Sequence, residues 1–151
     1  IYGAISENFF LPASFDKLLY KPWTLITYFF THESFFHILF NMLFLYWFGL
    51  LISEFLGSKR LINLYILGGI FSGLIYMLVY NFVPYYQDKV MFTSLLGASG
   101  GVYAVVIGAA VLLPDYTFFL LLLGPVKIKY IAAFYLLLSF ADTIGPNAGG
   151  N

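Results

Sequence analysis

Residues 34 to 56 read SFFHILFNMLFLYWFGLLISEFL, and the only charged side chain in this segment is Glu54, near its end. The hydrocarbon core of a bilayer is about 30 Å thick, so roughly 20 apolar residues of helix are needed to cross it. The segment is therefore predicted to be a transmembrane helix. His37 and Asn41 lie four residues apart in it, which places their side chains on one face of that helix.

Two more stretches without charge follow, from residue 61 to 87 and from residue 90 to 114. A further apolar stretch, residues 116–141, contains Gly124, Pro125 and two lysines and so cannot be one uniform helix. We expect a loop or extended piece at 116–125. The predicted fold class is all-α, a polytopic membrane helix bundle in a single domain, with about four transmembrane helices at residues 34–56, 61–83, 95–113 and about 126–141.

The composition excludes several classes of protein. Of the 151 residues, 62% are hydrophobic and 9% are charged, against roughly 45–50% and 25% in soluble domains. Seven basic side chains balance seven acidic ones, so no basic surface for nucleic acid is expected. The chain has no cysteine and two histidines, which argues against a metal site. No cofactor is predicted.

The loops predict an orientation. Lys59, Arg60, Lys127 and Lys129 fall on one side of the predicted bundle, which the positive-inside rule weakly favours as cytoplasmic. Residues 1–33 then form an outer-face loop. Their mixture of aromatic and charged side chains is typical of a segment lying among lipid headgroups.

Small residues are concentrated in the second and third predicted helices. Gly69 and Gly73 form a G-x-x-x-G pair, and the third helix carries a stripe of four small residues at Gly97, Gly101, Ala104 and Gly108. Such residues favour close helix packing in membranes. The third helix is therefore expected to be central in the bundle.

Polar groups in a membrane helix are candidates for function. Ser99 lies in the sequence G-x-S-G at the start of the third helix, where free backbone N–H groups can face a reacting group. The topology places His37, Asn41 and Ser99 near the outer ends of their helices. This pattern indicates acyl transfer, with a serine nucleophile and fixed oxyanion donors. The alternatives are that His37 and Asn41 are an interhelical hydrogen-bond pair that fixes packing, and that Ser99 is a small residue that allows close helix approach.

The motif H-x4-H-x3-N at residues 32–41, followed by G-x-S-G at 97–100, resembles the rhomboid intramembrane serine proteases. The resemblance covers essentially the whole chain and implies a bundle of six helices, of which the four predicted here would be the second to fifth. The chain would then be a fragment that lacks most of the first helix and all of the sixth. It also implies that Ser99 is the nucleophile, with His37 and Asn41 as oxyanion donors. The general base would be a histidine of the sixth helix, beyond Asn151.

The same resemblance suggests supporting roles for three residues. Tyr103 matches a tyrosine that packs against the catalytic base, His32 a histidine that orders the outer loop, and Glu54 a carboxylate that ties the inner end of the helix. Without the family, Tyr103 would be read as ordinary aromatic packing. One departure is Thr24, where several family members have arginine.

The resulting functional prediction is a serine endopeptidase that cleaves transmembrane segments near their outer end. Its partners would be transmembrane substrates and the lipid bilayer, with no nucleic acid. Its location would be the plasma membrane of a prokaryote, with the active site facing outward. The 151-residue fragment alone is expected to be inactive. The alternative is an inactive rhomboid-like protein that binds transmembrane clients; a transporter or channel is disfavoured, because the second helix has no charged or amide group between Asn63 and Asn81.

Overall fold

The computed structural model of the chain describes residues 7–120 and 123–144. Helices dominate, which confirms the predicted all-α bundle. Two small antiparallel sheets accompany them, each of two strands. The elements in chain order are β1 Leu11–Pro12, α1 Phe15–Tyr20, α2 Thr24–Thr27, a 3-10 turn Tyr28–Phe30, α3 Phe35–Leu56, α4 Ser58–Phe82, α5 Pro84–Gln87, β2 Ser94–Leu95, α6 Ser99–Leu112, β3 Thr117–Leu120, β4 Gly124–Lys127 and α7 Ile128–Ile144.

The first two long helices meet at a single glycine. The N-terminus of α3 is capped by Ser34, whose hydroxyl accepts a hydrogen bond from the His37 N–H at 3.2 Å. Gly57 ends the helix with φ +91°, a conformation that side chains rarely allow. Because the turn needs only this residue, α4 begins at Ser58 rather than at the predicted residue 61. Both helices are long and apolar enough to cross a membrane.

The third long helix is shorter than predicted. It begins at Ser99 instead of residue 95, because Leu95 pairs with Leu11 between β2 and β1 and Gly97 then turns the chain with φ +116°. Its 14 residues span only about 21 Å at 1.5 Å per residue. The predicted span 95–113 is therefore too long by four residues at its outer end.

A β-hairpin occupies most of the stretch expected to be a loop or extended. Strands β3 and β4 pair from Thr117 with Lys127 to Leu120 with Gly124. Lys127 and Lys129 both bond the Asp115 carboxylate at 2.9 Å. Because residues 124–127 are in a strand, α7 begins at Ile128 rather than at about 126.

The predicted central helix is central among the described elements. One face of α6 is completely buried at Val102, Val105, Val106 and Ala109, between α3 and α7. Another face meets α4 so closely that a Cβ at Gly68 would lie 2.3 Å from the Ala104 Cβ. The small-residue stripe of α6 thus allows close packing, as predicted.

The G-x-x-x-G pair has a different partner from the one expected. A Cβ at Gly69 would lie 2.8 Å from the Phe29 ring, and one at Gly73 would lie 2.8 Å from Leu11. Both neighbours belong to the segment before α3. The two glycines therefore accommodate the outer loop instead of a neighbouring helix. This loop has its own buried cluster, which consists of Leu11, Tyr28, Phe29, Met77 and Leu95.

Candidate functional site

Ser99 is the first residue of α6, and its surroundings are set by the turn before it. Ala98 is fully buried at the N-cap, while Ser99 itself is half-buried. The first N–H groups of a helix have no partner within the helix. The hydroxyl of Ser99 therefore stands beside backbone donors that remain available to an incoming oxygen.

Gly97 brings His37 and Ser99 together. A Cβ at Gly97 would lie 2.9 Å from Cε1 and 3.3 Å from Nε2 of His37, and 3.8 Å from the Ser99 hydroxyl oxygen. The imidazole and the hydroxyl thus flank the same backbone position from two different helices. Any side chain at residue 97 would enter the space between them.

Asn41 lies one turn further along the face of α3 that carries His37. Its side chain is 2% exposed, and its Nδ2 is buried without a hydrogen-bond partner among the described residues. A buried donor that is left unsatisfied costs about 1–3 kcal/mol, so such an atom requires an explanation. This amide nitrogen therefore makes no interhelical packing hydrogen bond within the described part of the chain.

His32 packs behind His37. The two rings meet edge to face, with centroids 5.5 Å apart and an interplanar angle of 78°. Burial, and secondarily the charge of His37, lower the pKa of His32 below its usual value, which favours the neutral ring at pH 7.

The other two predicted supporting residues have different surroundings. Tyr103 packs against Tyr135 of α7 with ring centroids 4.8 Å apart, and Tyr135 in turn stacks on Phe44 at 4.1 Å. Glu54 is exposed at the opposite end of α3 and forms no hydrogen bond or ion pair with any described residue. The proposed role of Glu54 in holding the inner end of the helix stays a prediction. The expected base, and residues 145–151 before it, lie outside the described residues.

Sequence reasoning missed Tyr28, which anchors the turn before Ser99. Its carbonyl accepts the Gly97 N–H at 3.0 Å, and its hydroxyl donates to the Gly69 carbonyl at 2.6 Å. Burial raises the pKa of Tyr28 to about 12, so the hydroxyl stays a donor at physiological pH. The sequence gives only one signal, the aromatic content of the outer loop, and that signal does not single out this tyrosine.

These contacts place a helix-start serine and a histidine at one glycine turn, and one helical turn from the histidine lies a buried amide nitrogen without a partner among the described residues. The sequence model of the family described as Rhomboid domain matches residues 20–148 of the chain. The chain belongs to the rhomboid family. It is accordingly an integral membrane protein, and α3 and α4 carry large apolar side chains that are exposed in the described structure, such as Phe71 and Tyr46.

The departure at Thr24 is accommodated locally in this rhomboid. Thr24 is completely buried, and its hydroxyl donates to the Lys21 carbonyl at 2.6 Å. Beside it, the Trp23 indole N–H donates to the Asn8 carbonyl at 3.0 Å. A short polar side chain therefore closes this part of the outer loop without the reach of an arginine.

Proposed function

We propose that the intact protein is a serine endopeptidase that cuts transmembrane segments within the bilayer. The observation that carries this proposal is the approach of His37 and Ser99 to the same side of Gly97, at the open end of α6. A helix-packing role for these residues would not need a hydroxyl beside free backbone donors. An acyl-transfer site needs that arrangement.

In the proposed reaction, the Ser99 hydroxyl oxygen attacks the carbonyl carbon of the scissile peptide bond. The negative charge that develops on the carbonyl oxygen is stabilised by the Ser99 N–H, the His37 ring and the Asn41 amide. The unpartnered Nδ2 of Asn41 supports this role, since an oxyanion would supply the missing acceptor.

The proton of Ser99 passes to a general base, which then protonates the departing amine. We assign the base to a histidine beyond Asn151. His37 is the less suitable candidate, because one imidazole cannot donate to the oxyanion and accept the serine proton together.

We further propose that the protein lies in the plasma membrane of a prokaryote and that its active site faces the outer side of that membrane. Lys59, Arg60, Lys127 and Lys129 lie at the end of the bundle opposite Ser99. Asp115 partly neutralises two of them, and these lysines lower its pKa to about 2. Acidic residues contribute little to the positive-inside rule, so the orientation rests on the basic residues.

The rhomboid family also includes members without activity, and an inactive client-binding protein is the second candidate. A binding protein has no use for a buried amide donor without a partner. If the protein only binds clients, transmembrane segments should stay bound to it and should not be cut.

Replacing Ser99 with alanine distinguishes the two functions. The full-length protein in lipid vesicles should cleave a reporter transmembrane segment, and Ser99→Ala should abolish cleavage with unchanged thermal unfolding. Ser58→Ala is the matched control, because Ser58 lies at the opposite end of the bundle and its hydroxyl bonds that of Ser53, its one side-chain partner among the described residues. Substantial turnover by Ser99→Ala would eliminate Ser99 as the nucleophile, and absence of cleavage by the unmodified protein would favour the binding function.

A further inference from the structure

A second concave site lies in the outer loop. A cavity of about 560 Å³ opens between α1 and the chain that leads into β2. Its walls include two lysines, one carboxylate and apolar side chains, namely Lys17, Lys21, Glu7, Tyr20, Met91 and Phe92. The volume lies within the range of pockets that bind small molecules. None of the residues assigned to catalysis lines it.

The two ammonium groups are held in place without being neutralised. Lys17 Nζ donates to the Met91 carbonyl at 2.5 Å, and Lys21 Nζ donates to the Asn8 side-chain oxygen at 2.7 Å. Within the described part of the chain neither lysine pairs with a carboxylate. An ammonium group has three donors. Each lysine therefore retains donors, and its full charge, for an anion in the cavity.

The rim of the cavity is apolar and strongly exposed. Phe92 is 91% exposed and Tyr20 is 83% exposed, and the adjacent Leu19 is 79% exposed. In a membrane protein such side chains are favoured at the boundary between headgroups and acyl chains. The cavity thus combines charged walls with an edge suited to hydrocarbon.

We propose that this cavity binds the headgroup of an aminophospholipid. The lipid phosphate lies between Lys17 and Lys21, and its ammonium group pairs with Glu7. The acyl chains leave over Phe92 and Leu19. This proposal uses the membrane location of the chain and does not depend on Ser99 being a nucleophile.

The mixed charge of the cavity selects this occupant over a simple anion. Glu7 repels inorganic phosphate and acidic peptide side chains alike, whereas a zwitterionic headgroup satisfies both signs of charge. A soluble ligand would also leave the apolar rim in water. A phospholipid covers the rim with its chains.

The test measures phospholipid binding to the full-length protein by native mass spectrometry, using phosphatidylethanolamine, phosphatidic acid and glycerophosphoethanolamine. Loss of one charge-assisted contact corresponds to about a tenfold weaker affinity, so Lys17→Gln and Lys21→Gln should each weaken phosphatidylethanolamine binding by about that factor. Lys89→Gln is the matched control, because Lys89 lies over the Tyr85 ring, outside the cavity. It should leave the affinity unchanged.

Glu7→Gln is an independent test of the proposal, because it leaves both lysines unchanged. It should weaken phosphatidylethanolamine binding and strengthen phosphatidic acid binding, because it removes the partner of the amine and the repulsion of the anion. Circular dichroism melting verifies that each variant is folded. Equal losses in all three lysine variants, or a Glu7→Gln variant with unchanged lipid preference, would overturn the proposal. Displacement of the lipid by millimolar inorganic phosphate or an acidic peptide, but not by glycerophosphoethanolamine, would also overturn it.

Discussion

Three side chains carry the proposed chemistry at the residue scale, and each has a different setting. His37 rests against Gly97 and His32. Asn41 is buried one turn away with its amide nitrogen unpartnered, and Ser99 starts α6. Donors held in place before the substrate arrives need no reorganisation when charge develops, which is the main source of rate in such sites.

Tyr28 is predicted to stabilise the turn before Ser99 through its hydroxyl. Tyr28→Phe removes the 2.6 Å hydrogen bond to Gly69 and should lower the free energy of unfolding by about 1 kcal/mol. Cleavage should fall modestly, because the Gly97 N–H remains bonded to the main chain of residue 28. Tyr20→Phe is the control, since that side chain is 83% exposed. Equal stability of the two variants in a thermal unfolding assay would argue against an anchoring role.

The candidate residues could be chosen from sequence because their spacing carries the information. His37 and Asn41 share a helix face through four-residue spacing, and the G-x-S-G context of Ser99 indicates a helix start. Tyr28 could not be chosen in this way. Its contacts join the outer loop to Gly69 and Gly97, distant in sequence, and no local pattern reports such a pairing.

At the scale of elements, the turn into α6 requires glycine at position 97 for two reasons, the backbone conformation and the space that His37 occupies. Gly97 has φ +116°, and a side chain there would press on His37. Gly57 has the comparable φ of +91° but open space around it. Alanine variants of the two glycines can therefore be compared. Both strain the backbone, but only the variant at Gly97 also displaces His37.

Gly97→Ala should lower the cleavage rate by about 10²-fold or more, which is the usual effect of removing one oxyanion donor. Gly57→Ala should lose stability by about 1–3 kcal/mol, the cost of a strained backbone position, with little change in the activity of the folded fraction. Both are measured as turnover per folded enzyme in vesicles. Similar activity losses in the two variants would show that strain alone is responsible.

The existence of the long helices and the outer ends of α3 and α4 could be predicted, but the outer end of α6 could not. Apolar length identifies a span, whereas the start of α6 is set by pairing of Leu95 with Leu11, a contact between distant segments. The G-x-x-x-G pair was misassigned for a similar reason. Small residues signal close approach, and only the fold shows that Phe29 and Leu11 are what approaches.

At the scale of the whole molecule, the short α6 sets the depth of the site. The outer sheet occupies the chain before Ser99, so α6 begins beside His37, near the start of α3, and beside Ser72, in the middle part of α4. A substrate helix that enters from lipid would present its outer turns to this depth. Water must also reach the site for hydrolysis, as the proposed outward orientation requires.

Cleavage should therefore occur near the outer end of a substrate's transmembrane segment. A hydrogen-bonded helical peptide bond resists attack, so Gly or Pro near that end should promote cleavage by destabilising the helix. Leucine at the same positions should suppress it. Mass spectrometry of the products locates the cut, and a cut in the cytoplasmic half of the segment would refute the proposed orientation.

The most direct test of the central claim is covalent labelling of the full-length protein with a fluorophosphonate, followed by mass spectrometric assignment of the adduct. The account predicts one adduct, on Ser99, formed about 10²–10³-fold more slowly when His37→Ala or Asn41→Ala removes an oxyanion donor. An adduct on a different serine, or undiminished labelling of Ser99 in both donor variants, would contradict it.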